Sequence, residues 1–322
     1  MWFTGGGSGA RPIPTAMLLA LNHLDPVLRV DHATKLYGND VGVRDVTFNA
    51  HEGEVLGLLG PNGSGKTTLL RMMLGLLHIT SGKIALFGVD VGRASPSVRA
   101  RIGYLPGDLT LYDEQTVWQY LKFIGSLRRI DIDEAARAMC ERLRLDPGRR
   151  IGDLSRGTKQ KVALVQAFMH EPSLLLLDEP TSGLDPLVQR EFDSLIDETR
   201  LRGATVILSS HILADVERLA DRVAIMHAGR LVAIDDVSTL KSRFARRIEL
   251  EFPEPVGIEH FTSLDGVTDV RAWGRRIICS VTGRETEILR TAVGLDVVSI
   301  RTHDPSLDEV FARIVEAPHG DA

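Results

Sequence analysis

Residues Gly60-Pro61-Asn62-Gly63-Ser64-Gly65-Lys66-Thr67 satisfy G-x-x-x-x-G-K-[ST] at every fixed position. The apolar run Val55–Leu59 precedes them and reads as a buried strand. Thr67–Leu77 follows and reads as a helix. This context admits few folds, because the loop must join a central strand to a helix whose positive end faces an anion. Glycines let backbone N–H groups turn inward around phosphate oxygens without a side-chain clash. Lys66 is placed to reach β- and γ-phosphates, and the Thr67 hydroxyl to ligate Mg²⁺. The pattern therefore implies nucleoside-triphosphate binding by Gly60, Pro61, Asn62, Gly63, Ser64, Gly65, Lys66, Thr67 and Thr68.

The 322 residues suffice for about two domains. Between residues 27 and 241, short apolar runs alternate with helical patterns. Val55–Leu59, Ile102–Leu105, Leu174–Leu177, Thr205–Leu208 and Arg222–Met226 are dense enough for strands buried on both faces. The fold class expected is α/β, a phosphate-loop NTPase sheet with a helical subdomain between Asp108 and Asp153. There Trp118, Leu121, Ile124 and Leu127 recur at helical spacing. Residues 242–322 change texture, and their predicted βαββαβ order suggests a small ferredoxin-like α+β domain. Ser306-Leu307-Asp308-Glu309 has capping-box spacing and opens a last helix. Residues 1–26, with Gly5-Gly6-Gly7-Ser8-Gly9, read as a flexible N-terminal extension rather than a signal peptide.

Composition narrows the function classes. Lys plus Arg number 38 against 43 Asp plus Glu, a formal charge of −5, which argues against a nucleic-acid partner held through phosphates. No apolar run approaches the roughly 20 residues that cross a bilayer. Cys140 and Cys279 have neither metal nor redox spacing, which fits a reducing compartment.

Leu174-Leu175-Leu176-Leu177-Asp178-Glu179 ends an apolar strand in two carboxylates. Open α/β sheets bind ligands at such strand ends. Asp178 is thus the expected Mg²⁺ partner, and Glu179 the general base for an attacking water. Leu154-Ser155-Arg156-Gly157-Thr158-Lys159-Gln160 lies between the two motifs. Pro180-Thr181-Ser182-Gly183-Leu184-Asp185-Pro186 and Ser210-His211 follow.

This ordered set resembles the nucleotide-binding subunit of ATP-binding-cassette (ABC) transporters over residues 27–241. The resemblance implies that Tyr37 stacks on adenine and that His211 contacts the γ-phosphate and Glu179. It also implies a head-to-tail homodimer or paired cassette, in which Ser155 and Gly157 close on ATP held by the partner and Asp185 lies in the loop crossing that interface. Arg156 and Thr158 stand where the family usually has Gly and Gln. Gly107 replaces the glutamine that ligates Mg²⁺ in the family, and Asp108 is the one nearby candidate to substitute for it. The tail, with Pro305-Ser306-Leu307-Asp308-Glu309-Val310-Phe311, is similar to bacterial drug- or antibiotic-exporter ATPases. These partner a separate transmembrane permease, which places the chain peripherally on the cytoplasmic face of the membrane. An importer ATPase or a soluble, non-transport ABC ATPase remains the alternative, since the cassette hardly encodes direction.

Overall fold

The computed structural model describes residues 26–316 apart from Arg284. The extension expected over residues 1–26 thus lies almost wholly outside the described residues. In chain order, β1 (Leu28–Tyr37) and β2 (Asp40–Ala50) form a long hairpin, and β3 (Val55–Leu59) leads through the phosphate loop into α1 (Lys66–Met73). There follow β4 (Ser81–Leu86), β5 (Val89–Asp90), α2 (Pro96–Ala100) and β6 (Ile102–Leu105). The helical region holds α3 (Val117–Arg128), α4 (Asp133–Arg142) and α5 (Arg156–Phe168). Then come β7 (Leu174–Asp178), α6 (Pro186–Leu201), β8 (Thr205–Ser210), α7 (Leu213–Leu219), β9 (Arg222–His227), β10 (Arg230–Asp236) and α8 (Val237–Ser242). The tail consists of β11 (Arg246–Glu251), α9 (Glu259–Thr262), β12 (Val267–Trp273), β13 (Arg276–Val281), α10 (Thr286–Gly294), β14 (Ser299–His303) and α11 (Leu307–Glu316).

The central sheet runs β10-β9-β3-β8-β7-β6, parallel except for β10 at its edge. Its leucine runs follow from burial on both faces. Leu174 and Leu176 enter one apolar cluster with α1 and the antiparallel sheet β2-β1-β4-β5, while Leu175 and Leu177 enter the other with α3 to α7. Thr116 opens α3 with a reciprocal capping box to Gln119, which fixes where the helical region begins. The parallel strands expected from sequence are all present. The β1–β2 hairpin, absent from the sequence reading, builds the second sheet.

The tail strands form an antiparallel sheet of order β12-β13-β11-β14, with Ile248, Leu250, Phe252, Phe261 and Ile277 in a cluster of their own. Its last helix departs from the expected division at residue 242. Leu307 and Val310 of α11 are fully buried in the cluster beneath the central sheet that holds Val216, Leu219, Val237 and Leu240. The apolar face of α11 thus belongs to the core of the central sheet, not to that of the tail sheet. Among the described residues no helix is long and apolar enough to cross a membrane.

Candidate functional site

Adjacent parallel strands β3, β8 and β7 pair Leu59 with Ser210 and Ser209 with Asp178. Their C-terminal ends therefore deliver the phosphate loop, His211 and the two carboxylates to one edge of the sheet. The loop's backbone requires glycine. Gly60 has φ 155 and a Cβ there would lie 2.2 Å from the Met226 carbonyl. Gly65 has φ 102 and a Cβ there would lie 2.6 Å from the Gly42 carbonyl. Gly65 caps α1 without any side-chain bond, so the helix's first N–H groups keep no side-chain acceptor. The loop encloses a cavity of about 220 Å³ lined by Asn62, Ser64, Lys66, Thr67 and Thr68, with Glu179 on its far side. Gly60 and Pro61 contribute through their carbonyls, which accept from Lys66 Nζ at 2.6 and 3.2 Å. Burial pushes the Lys66 amine below its ordinary pKa, while the Glu179 and Asp178 charges pull it back up.

Glu179 meets His211, the partner the resemblance implies, and also faces Lys66. His211 Nδ1 lies 2.8 Å from Glu179 Oε2, and Lys66 Nζ 3.9 Å from Oε1. The backbone of Glu179 sits at φ 50, a left-handed conformation costing a non-glycine residue roughly 1–3 kcal/mol. Two bonds hold it there, from Glu179 N–H to the Ser209 carbonyl at 3.2 Å and to Ser209 Oγ at 3.1 Å. Ser209 Oγ in turn donates to Asp178 Oδ1 at 2.5 Å. Buried Ser209 thus holds the Asp178 carboxylate and the Glu179 backbone together. The Gln160 amide adds a further brace, donating to the carbonyls of Glu179 and Pro180 at 3.3 and 3.1 Å.

The other oxygen of Asp178, Oδ2, is buried with no hydrogen-bond partner among the described residues. A buried oxygen left so is costly, and a bound cation is one ligand whose contact would offset the cost. Position 107 faces this same atom, since a Cβ on Gly107 would stand 3.1 Å from Asp178 Oδ2. Asp108 points elsewhere. Its side chain is 95% exposed and its Oδ2 lies 3.8 Å from Arg71 Nη2.

Tyr37 is half exposed, with its ring against Gly42, a residue lining the cavity, and Lys35 Nζ 5.2 Å from the ring centroid. Ser155 and Gly157 are not among the cavity's lining residues. Ser155 caps α5, accepting from Thr158 N–H at 3.2 Å, and Gly157 packs so tightly that a Cβ would lie 2.4 Å from the Gly183 carbonyl. Asp185 is the N-cap of α6 and accepts from the Leu187 and Val188 N–H groups, both at 3.0 Å. The Val188 N–H foremost, with the Lys161 charge and the Leu187 N–H, holds its pKa below the usual value against desolvation. Ser209, Gln160 and Gly42 escaped the sequence reading. Ser209, at the end of an apolar strand, and Gln160, in the quoted signature segment, left a trace there, whereas nothing near Gly42 marks it.

The family profile for the ABC transporter matches residues 43–182. The bacitracin transport ATP-binding protein BcrA of Bacillus licheniformis is 32% identical over 304 residues, covering 91% of this chain and 98% of that protein. The probable multidrug ABC transporter ATP-binding protein YbhF of Escherichia coli (strain K12) is 35% identical over 267 residues, covering 80% of this chain but only 46% of its own length. A solved ATP-binding subunit of an ABC transporter superposes with a TM-score of 0.64 at 31% identity, covering 67% of this chain and 92% of that one. On these likenesses the chain belongs to the ATP-binding subunits of ABC transporters, a family of cassettes that hydrolyse ATP.

Proposed function

We propose that this chain powers export of a drug, antibiotic or lipid-like substrate through a separate membrane permease, on the cytoplasmic face, as one of two cassettes that share ATP. The observation that carries the chemistry is the convergence of Glu179, His211 and Lys66 at the mouth of the phosphate loop. The transport class rests on the likeness to the bacitracin transport protein, which spans nearly the whole of both chains.

In this reading Asn62 to Thr68 hold the phosphates and Tyr37 stacks on the adenine. Thr67 and Asp178 would hold Mg²⁺, which supplies charge neutralisation on the β- and γ-phosphates. Glu179 takes a proton from water as the water oxygen attacks the γ-phosphorus. The bond from that phosphorus to the ADP oxygen breaks, and inorganic phosphate forms. His211 donates through Nδ1 to Oε2 of Glu179, keeping Oε1 for the water. Ser155 and Gly157 lie away from this cavity, which suits them to the γ-phosphate on the partner cassette, with Asp185 fixing the loop between. The βαββαβ order and the strand order of the tail support a ferredoxin-like domain in dimerisation or regulation. We divide the chain into residues 27–241 and 242–322, with the last helix of the second unit returned to the first.

The transport reading is tested by flux in inside-out vesicles carrying the permease. ATP-dependent accumulation of substrate inside them is expected, and ATP-dependent loss contradicts export. Two substitutions test the site. Ser209→Ala removes the hydroxyl that donates to the Asp178 carboxylate and accepts from the Glu179 N–H, and is expected to lower kcat about tenfold, the order of one lost hydrogen bond to charge. A rate within twofold of the parent would place Ser209 outside the machinery. Asp108→Ala is expected to leave the Mg²⁺ concentration for half-maximal hydrolysis within about twofold, since its exposed carboxylate lies near Arg71 rather than facing Asp178. A rise of about threefold or more would return Asp108 to the metal's surroundings.

A further inference from the structure

Helix α7 begins two residues beyond His211, and its two sides bind different parts of the molecule. Toward the nucleotide site, Val216 packs on β3 so closely that a Cβ on Gly57 would lie 2.4 Å from Val216 Cγ1. On the same side, buried Asp215 accepts from Thr181 Oγ1 at 2.6 Å, in the loop that follows Glu179. Toward the tail, Glu217 Oε1 accepts from Lys241 Nζ of α8 at 2.5 Å. Its Oε2 accepts from the Leu307 N–H of α11 at 3.4 Å. Leu307 and Val310 are fully buried beside Val216, Leu219, Val237 and Leu240, and Phe311 and Ile314 pack against the same cluster. The tail sheet is therefore suspended between two helices, α8 and α11, and both grip α7.

We propose that Leu307, Val310 and Glu217 are positioning residues for His211: α11 is a strap that fixes α7 and so holds the imidazole on Glu179. The inference rests on the reading of Glu179 and His211 as the reacting pair. Packed interiors shift between discrete arrangements rather than deforming smoothly, so loosening the strap releases α7 as a unit. The nucleotide cavity is lined by the phosphate loop with Val41, Gly42 and Glu179, and none of Leu307, Val310 and Glu217 lines it. Its affinity for ATP is therefore independent of the strap, which separates this role from a general loss of structure. The strap also gives the tail domain a route to the reaction without contact with nucleotide.

The test uses the full chain carrying Leu307→Ala with Val310→Ala, and separately Glu217→Ala and Glu217→Gln. The double variant and Glu217→Ala are expected to lower kcat about five- to twentyfold with KM for ATP within twofold. Glu217→Gln retains an oxygen that accepts the Leu307 N–H and is expected to recover most of the rate. The deciding comparison repeats the double variant in a His211→Ala background. No further loss of kcat is expected there, because the group being positioned is gone. A kcat equal to the parent's in Glu217→Ala and the double variant overturns the strap, as do losses that multiply in the His211→Ala background. An unchanged kcat in His211→Ala alone is a different failure, since it removes the reacting pair itself. Glu217→Ala leaves the apolar cluster untouched, so it reads the strap even if the double variant unfolds.

Discussion

Glu179→Gln is expected to lower the rate of ATP hydrolysis at least about a hundredfold, within the range by which a positioned general base accelerates a reaction. The substitution isolates one property of the side chain. Glutamine keeps the volume, and its amide oxygen still accepts from His211 Nδ1, which now stands 2.8 Å from Oε2. The backbone at φ 50 stays tied to Ser209 through its N–H, so the position of the side chain is retained. What is lost is the capacity to take a proton from water. ATP binding should be unaffected, because the phosphate loop and Lys66 carry it. Single-turnover hydrolysis with a separate measurement of ATP affinity checks both halves. Unchanged turnover would dismiss Glu179 as the base, and lost binding would make it a structural support of the loop.

Lys66→Ala is expected to weaken ATP binding by about ten- to a hundredfold. A charge-assisted bond to a phosphate is worth roughly 1.5–3 kcal/mol, and each 1.4 kcal/mol is a factor of ten in affinity. The buried amine is already held by the Gly60 and Pro61 carbonyls, so little ordering is needed when the phosphate arrives. The same burial makes the charge costly to the empty protein, as the depressed pKa of Lys66 records. Its removal should therefore leave the melting temperature at or above that of the parent while binding collapses. Calorimetric titration with ATP beside a thermal melt separates the two. Affinity within threefold of the parent would remove Lys66 from the phosphate contacts.

The phosphate loop, the acidic strand end and the parallel strands were legible because each follows from a local rule. The run Leu174–Leu177 has no polar alternation since its strand is covered on both faces. The β1–β2 hairpin hid for an equally physical reason. Its register shifts between Val30 and Ala33 and again before Lys35, and His32 and Asp45 take positive φ, so the two-residue period is broken. The allegiance of α11 was also illegible. Its capping box and apolar stripe announce a helix, but only the folded chain shows Leu307 and Val310 buried against α7 and α8 rather than against the tail sheet. Asp185, placed by resemblance at an interface, earns its position within one chain as the N-cap of α6. Ser209 drew no notice because a small hydroxyl at a strand end is unremarkable until its two carboxylate neighbours are known.

In the proposed cycle ATP is held between two copies, one offering the phosphate loop and the other Ser155 and Gly157. Light scattering of the Glu179→Gln chain during gel filtration measures it directly. With ATP and Mg²⁺ the mass should be twice that of one chain, and with ADP, or with ATP and an added Gly157→Asp substitution, it should return to a single chain. A single-chain mass under every condition, or a double mass indifferent to nucleotide and to Gly157, would contradict the shared site.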